Sequence, residues 1–138
     1  MTDPGPVPHV VDIEQATLQN DTFRTTLWSG RHLQLTVMSI EPGDDIGLEM
    51  HADVDQFLRV EEGSAKVEMG PAREDLSFSR DVEDDWAILV PAGTWHNITN
   101  TGQGPLKVYS LYSPPNHPPG TVHPTKADAE RDEHEHHH

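Results

Sequence analysis

Glu49, His51, Gln56 and His96 are the residues of this 138-residue chain whose types and spacing best support chemistry. Glu49 and His51 stand two apart in the stretch GDDIGLEMHADVDQFLRVEEG, so a strand there points both to one face. Asp53 continues that face, but Asp53-Val54-Asp55 favours a bend. Gln56 to Val60 reads as the next strand, with Gln56, Leu58 and Val60 on one face. In the stretch PAGTWHNITN, His96 follows the Pro91-Ala92-Gly93 turn. If these strands pack in one barrel, two imidazoles, one carboxylate and one amide oxygen converge on a mixed nitrogen/oxygen site for a divalent metal. Four protein ligands leave about two positions open around an octahedral ion, as a reaction requires and a purely structural site does not. Asp53 and Asp55 are the alternative carboxylates, since His-x-Asp is also a reasonable ligand pair.

The elements that must position these residues are short and extended. Twelve prolines, ten glycines and repeated apolar alternation point to an all-β chain. Strands are expected over Phe23–Trp28, Leu33–Ile40, Ala65–Met69, Trp86–Val90 and Leu106–Tyr112, with another starting at Ile98-Thr99. Residues Asp12 to Leu18 fit a short strand or a turn of helix equally well. Gly70 to Asp85 reads as a solvated loop with one strand at Leu76 to Phe78. The pattern divides the chain into a flexible N-terminus (1–9), a barrel (10–124) and a disordered acidic, His-rich tail (125–138) ending in HEHHH. The architecture drawn from pattern alone is an antiparallel double-sheet jelly roll.

The two site segments resemble the two motifs of the cupin family. The first family motif is G-x5-H-x-H-x4-E-x6-G, and Gly43, Glu49, His51, Gln56 and Gly63 fall at its spacing. The second is G-x5-P-x-G-x2-H-x3-N, and Pro91, Gly93, His96 and Asn100 fall at its spacing. Three positions depart: Glu49 replaces the first histidine, Gln56 the glutamate, and Asp85 the opening glycine of the second motif. The resemblance implies a jelly-roll barrel with one divalent ion per chain (Mn, Fe, Ni or Zn) on Glu49, His51, Gln56 and His96. The two ligand departures keep a single carboxylate but move it, and they exchange one imidazole for a weaker amide oxygen. The family spans dioxygenases, decarboxylases, isomerases, epimerases and non-enzymatic binding proteins, so fold does not select a reaction. Two readings follow. One is a small metalloenzyme acting on a small oxygen-rich molecule, with Glu49 as ligand and proton acceptor; the other is a non-enzymatic ligand-binding or sensing module.

Composition narrows the partners. A net charge of −15, from 24 acidic and nine basic residues, argues against nucleic acid or an anionic membrane surface. The absence of cysteine excludes disulfide and thiol chemistry. No apolar run approaches a membrane span and the N-terminus lacks a basic-then-apolar signal region, so a cytoplasmic location is expected. No phosphate loop, Ser-His-Asp order or nucleophile elbow is present. The remaining partners are a small-molecule ligand and a second copy of the chain. Small cupins commonly dimerise through an N-terminal strand, and the apolar VVDI run near the N-terminus is compatible with a homodimer. His32, His117 and His123 read as surface or hydrogen-bonded residues, although the Pro-rich coil carrying the last two could fold over the barrel mouth. Tyr109 and Tyr112 lie on the last strong strand, and either face could turn to the site.

Overall fold

A computed structural model describes residues 3–136. Nine strands and two helices follow in order: α1 (Ile13–Gln19), β1 (Arg24–Ser29), β2 (Gln34–Ile40), β3 (Asp55–Glu62), β4 (Ser64–Gly70), β5 (Phe78–Glu83), β6 (Ala87–Val90), β7 (Trp95–Asn100), β8 (Leu106–Ser113), β9 (Val122–His123) and α2 (Lys126–His136). One sheet has six strands in the order β6-β3-β8-β2-β1-β9, and the other has three in the order β5-β4-β7. All pairings are antiparallel, and the two sheets enclose one apolar core in a double-sheet jelly roll.

Register explains why the interior is polar at one end and apolar at the other. Residues paired across an antiparallel sheet share a face. Val90, Gln56, Tyr112, Gln34 and Ser29 therefore form one inward row across β6, β3, β8, β2 and β1, and all five are buried. The next row holds Leu58, Ser110 and Thr36, and the following one Val60, Val108 and Met38. Leu106 and Ile40 close the apolar end. In β2 it is the Gln34-Thr36-Met38 side that enters the barrel, and Met38 and Ile40 join the core cluster. Val37 points the opposite way and is still only 1% exposed, because α1 packs near β2, β3 and β8.

Helix α1 resolves the ambiguity over residues 12 to 18. Asp12 caps it by accepting from the Gln15 amide, and the Thr17 hydroxyl returns to the Ile13 carbonyl. Strand β5 extends further into the acidic segment than the expected Leu76–Phe78. It pairs in continuous register with β4 from Phe78 to Glu83, and only Val82 is buried, so its charged side chains stay in water.

Near both ends of the described residues, side chains reach residues of the barrel. The Asp3 carboxylate accepts from the backbone amides of Gly5, Ser29 and Gly120 and from the Ser29 hydroxyl. Burial pushes this carboxyl up, but those donors, Ser29 foremost, hold it below the usual range. At the other end Lys126–His136 form helix α2. Thr125 and Asp128 form a capping box, each side chain accepting from the other's backbone amide. Lys126 then bridges Asp44, at 3.0 Å, and Asp45, while Ala129 is buried in the core cluster. The last two histidines of HEHHH lie outside the described residues.

Asp85 shows why one motif departure leaves the fold intact. It stands at the position of the family's glycine and adopts φ 74°, the left-handed region that asparagine and aspartate enter more readily than other side chains. Its amide donates to the Val60 carbonyl and its carboxylate accepts from Arg59 at 2.9 Å. Asp85→Gly is expected to leave the melting temperature nearly unchanged, whereas Asp85→Val forces a branched side chain into the same φ and costs about 1–2 kcal/mol. Thermal denaturation of the two variants checks this; equal melting temperatures would mean that the turn does not need a left-handed residue.

Candidate metal centre

The segment before β3 is not a regular strand. Gly47, at φ 92°, interrupts it, and only isolated bridges at Asp45 and Glu49 pair it with β7. The Glu49 bridge is nonetheless tight: Glu49 N donates to the His96 carbonyl at 3.0 Å and His96 N to the Glu49 carbonyl at 2.9 Å. The two residues thus form a directly opposed, hydrogen-bonded pair whose side chains share a face. His51 is held by the next connection, in which the Gly93 amide donates to its carbonyl at 2.8 Å. Gly93 has φ 80°, which suits the turn that brings the chain back to His96. Asp55, one of the alternative carboxylates, accepts from the Ala92 amide and so braces this turn. Asp53, the other, is exposed at the cavity rim.

Glu49, His51 and His96 come together with one donor atom from each within 4.8 Å of the others. Glu49 Oε1 stands 3.5 Å from His51 Nε2 and 3.6 Å from His96 Nε2. His96 Nδ1 lies 3.1 Å from the Thr94 carbonyl, which can only accept, so this nitrogen carries the proton. In the neutral ring His96 Nε2 then presents a lone pair to the carboxylate. Both Nε2 atoms are buried without a hydrogen-bond partner. With both imidazoles neutral and unprotonated at Nε2, their lone pairs and the carboxylate repel unless a proton or a cation lies between them. Two ligands each about 2.1 Å from one ion at tetrahedral or octahedral angles stand about 3.0–3.4 Å apart, close to the spacing found here. The donor set fits a divalent metal, and the Thr94 carbonyl is the kind of outer partner that orients a ligating imidazole. Burial pushes the Glu49 carboxyl up, whereas positive charge beside it, a protonated His51 or His96 or an ion between the three donors, holds it far below the usual carboxylate range.

Gln56 lies in the inward row beside Tyr112, whose ring meets His51 edge-on at 5.9 Å between centroids. Its Nε2 donates to Ser110 Oγ at 3.3 Å, and its Oε1 is buried with no hydrogen-bond partner. Tyr112 is thus the tyrosine inside the barrel, and burial pushes its hydroxyl up. Tyr109 turns outward against Phe57, at 6.2 Å. Asn100, the last residue of the second motif, is structural. It donates to the Ile40 and Gly104 carbonyls and accepts from Gly102.

A cavity of about 630 Å³ opens beside Glu49 and His51, and its wall also includes Arg24, Trp95, His117 and His123. The Pro-rich coil does fold over this mouth. Buried Gln34 secures it: Oε1 accepts from the amides of Asn116 and His117, and Nε2 donates to the His117 carbonyl and to Ser29 Oγ. The His117 ring is on the cavity side of this strap, where burial and the nearby Arg24 charge lower its imidazole to about 3. His123 is buried against Asp132, while His32 remains on the surface. Arg24 and Gln34 are parts of the site that sequence reasoning missed. A glutamine and an arginine on alternating strands carry no local motif; only the sheet register turns them inward. Gln34→Ala is expected to leave the barrel folded while amide hydrogen exchange at Asn116 and His117 rises about tenfold or more, since both amides lose their acceptor. Unchanged protection at those amides would show that the strap is held by something else.

A cupin-domain family model matches residues 36–112. The chain is 62% identical over 129 residues to the uncharacterized protein YrkC of Bacillus subtilis (strain 168), an alignment covering 94% of this chain and 69% of YrkC. It also superposes on the crystal structure of BH2720 from Bacillus halodurans with a TM-score of 0.94 and 60% identity, covering 95% and 99% of the two chains. The oxalate decarboxylase of Lactobacillus farciminis, solved with formate, shares the fold alone: TM-score 0.57 and 21% identity over 63% of this chain and 25% of that one. The family match, the jelly roll and the Glu/His/His cluster at the motif positions agree, and this chain belongs to the cupin family.

Proposed function

We propose that this chain is a divalent-metal cupin enzyme acting on a small oxygen-rich molecule, by isomerase, lyase or dioxygenase chemistry. Glu49, His51 and His96 are its metal ligands, with Gln56 Oε1 as the fourth donor. The observation that carries this reading is the pair of buried, unpartnered histidine Nε2 atoms facing the Glu49 carboxylate at 3.5 and 3.6 Å. A divalent ion at such a site supplies Lewis acidity, polarising a bound carbonyl or hydroxyl oxygen. The residues supply the rest. His96, fully buried and fixed through Thr94, holds its lone pair in one direction. Glu49 lines the cavity and is only partly covered, so its second oxygen can take a proton from a ligand there. Tyr112, the Gln34-held strap and the apolar floor keep bulk water from the inner side.

A binding module without turnover is the second reading, favoured by the strap itself, since a clamped roof suits retention of a ligand. Metal-dependent turnover or oxygen uptake with any enolic or hydroxyacid substrate separates the two.

Elemental mass spectrometry on the full chain tests the metal site. The terminal histidines His134, His136, His137 and His138 should be replaced by alanine, because truncation at Lys126 would remove Ala129 and Asp132 from the cavity wall. About one metal per chain is expected, and none in the added His51→Ala/His96→Ala pair. Metal absent from both after reconstitution would sink the metalloenzyme reading.

The chain is also proposed to act as a homodimer. Val10 is 93% exposed and Leu89, on the edge strand β6, 68% exposed, both suited to contact with a second copy. Light scattering at micromolar concentration should give twice the chain mass; a monomer mass removes this proposal.

A further inference from the structure

The cavity wall holds a second polar feature, opposite in sign to the Glu49 carboxylate. Arg24 is 6% exposed and lies on the inward face of β1 with Thr26. Its guanidinium carbon sits 5.3 Å from the centre of the Phe23 ring, which shields one face. Its Nη1 is 3.3 Å from His123 Nδ1, and His123 Nε2 is 2.8 Å from Asp132 Oδ2. Asp132 accepts the Nε2 proton, so His123 Nδ1 presents its lone pair to Arg24. The guanidinium is thereby aimed through a relay of three residues drawn from α2, β9 and β1. Its Nε, however, is buried with no hydrogen-bond partner among the described residues. His117 Nε2, also on the cavity wall, is likewise buried and unpartnered. A buried guanidinium N–H left without an acceptor is costly, and one held in place by its neighbours is prepared for an acceptor that arrives.

We propose that Arg24 is the seat for the carboxylate of a small organic acid, whose other end, a hydroxyl or carbonyl, reaches the metal on Glu49, His51 and His96. The substrate class therefore deepens the proposed function and rests on it for the metal-facing end, while the seat itself is built from this chain's own residues. A guanidinium edge matches the two oxygens of a carboxylate. The charge balance argues against phosphate. The remaining cation of the wall is exposed Arg73, which lies over the Trp95 ring, whereas Glu49, Asp53 and Asp132 are acidic and the whole chain carries −15. Such a wall accepts one negative charge more readily than two. The cavity, at about 630 Å³, has room for an acid of drug-like or smaller size.

Calorimetric titration of the full chain tests the seat, with and without added Mn²⁺. The probes are glycolate, lactate and mandelate, their neutral amides, and inorganic phosphate. The parent should bind at least one acid about tenfold more tightly than its amide, in metal-free protein as well. Arg24→Gln should erase that preference. Arg24→Lys, which keeps the charge without the fork, should retain only part of it and serves as the readout if Arg24→Gln fails to melt cooperatively. The His51→Ala/His96→Ala pair should keep the acid preference and lose any gain from Mn²⁺. Acid preference without any Mn²⁺ gain in the parent would defeat the metal reading while leaving the seat in place. Equal binding of acids and amides, preference surviving in folded Arg24→Gln or undiminished in Arg24→Lys, no binding of any acid, or phosphate binding above the acids would each overturn the seat.

Discussion

The reciprocal backbone pairing of Glu49 with His96 is the constraint on which the site depends. Two amide–carbonyl bonds at 3.0 and 2.9 Å set these residues opposite one another, and opposed residues in an antiparallel pair project to the same side. The remaining restraints serve that pairing. Gly47 and Gly93 provide the left-handed backbone that lets an irregular segment approach and leave β7, and the Gly93 amide fixes His51 beside them. A carboxylate and two imidazole nitrogens are consequently held together by the backbone alone, so a ligand of this cluster would not have to order it.

Around this pairing the barrel is polarised along its axis. The inward rows pass from Gln56, Tyr112 and Gln34 near the triad to Val60, Val108 and Met38, and then to Leu106 and Ile40. The apolar end supplies the burial that stabilises the fold, and the polar end can bear unpartnered donors and acceptors because the surrounding core is already formed. The C-terminal third of the chain completes the cavity. Gln34 clamps the strap at Asn116 and His117, Asp3 reaches Ser29 and Gly120, and Lys126 ties α2 to Asp44 and Asp45. The loop leading to Glu49 is thus braced from one side by β7 and from the other by α2.

Much of the fold was legible because it is written in local periodicity and turn chemistry. The runs Phe23–Trp28, Leu33–Ile40, Ala65–Met69, Trp86–Val90 and Leu106–Tyr112 each overlap a strand of the structure, with ends differing by at most one residue. Helix α2 carries a local signal as well: Thr125-Lys126-Ala127-Asp128 is a capping sequence, set just before a run of high charge. Strand β5 was hidden, since an outer strand needs few apolar residues and its charges imitate a loop. At the site, the spacing of Glu49, His51 and His96 singled them out, whereas Asp53 and Asp55 could be told apart from them only by their partners.

By itself the sequence determined the all-β architecture, the two motif segments and the residue types brought to them, because strand periodicity and turn residues act over a few neighbouring positions. Tertiary structure alone decided which of those side chains meet. Glu49 and His96 are 47 positions apart in the numbering, yet directly opposed in space. Arg24, Gln34, Tyr112, His117 and His123 belong to the cavity or its roof through inter-strand register and a long-range clamp. Register is settled by the sum of burial over both sheets, and no short stretch of residues contains that sum.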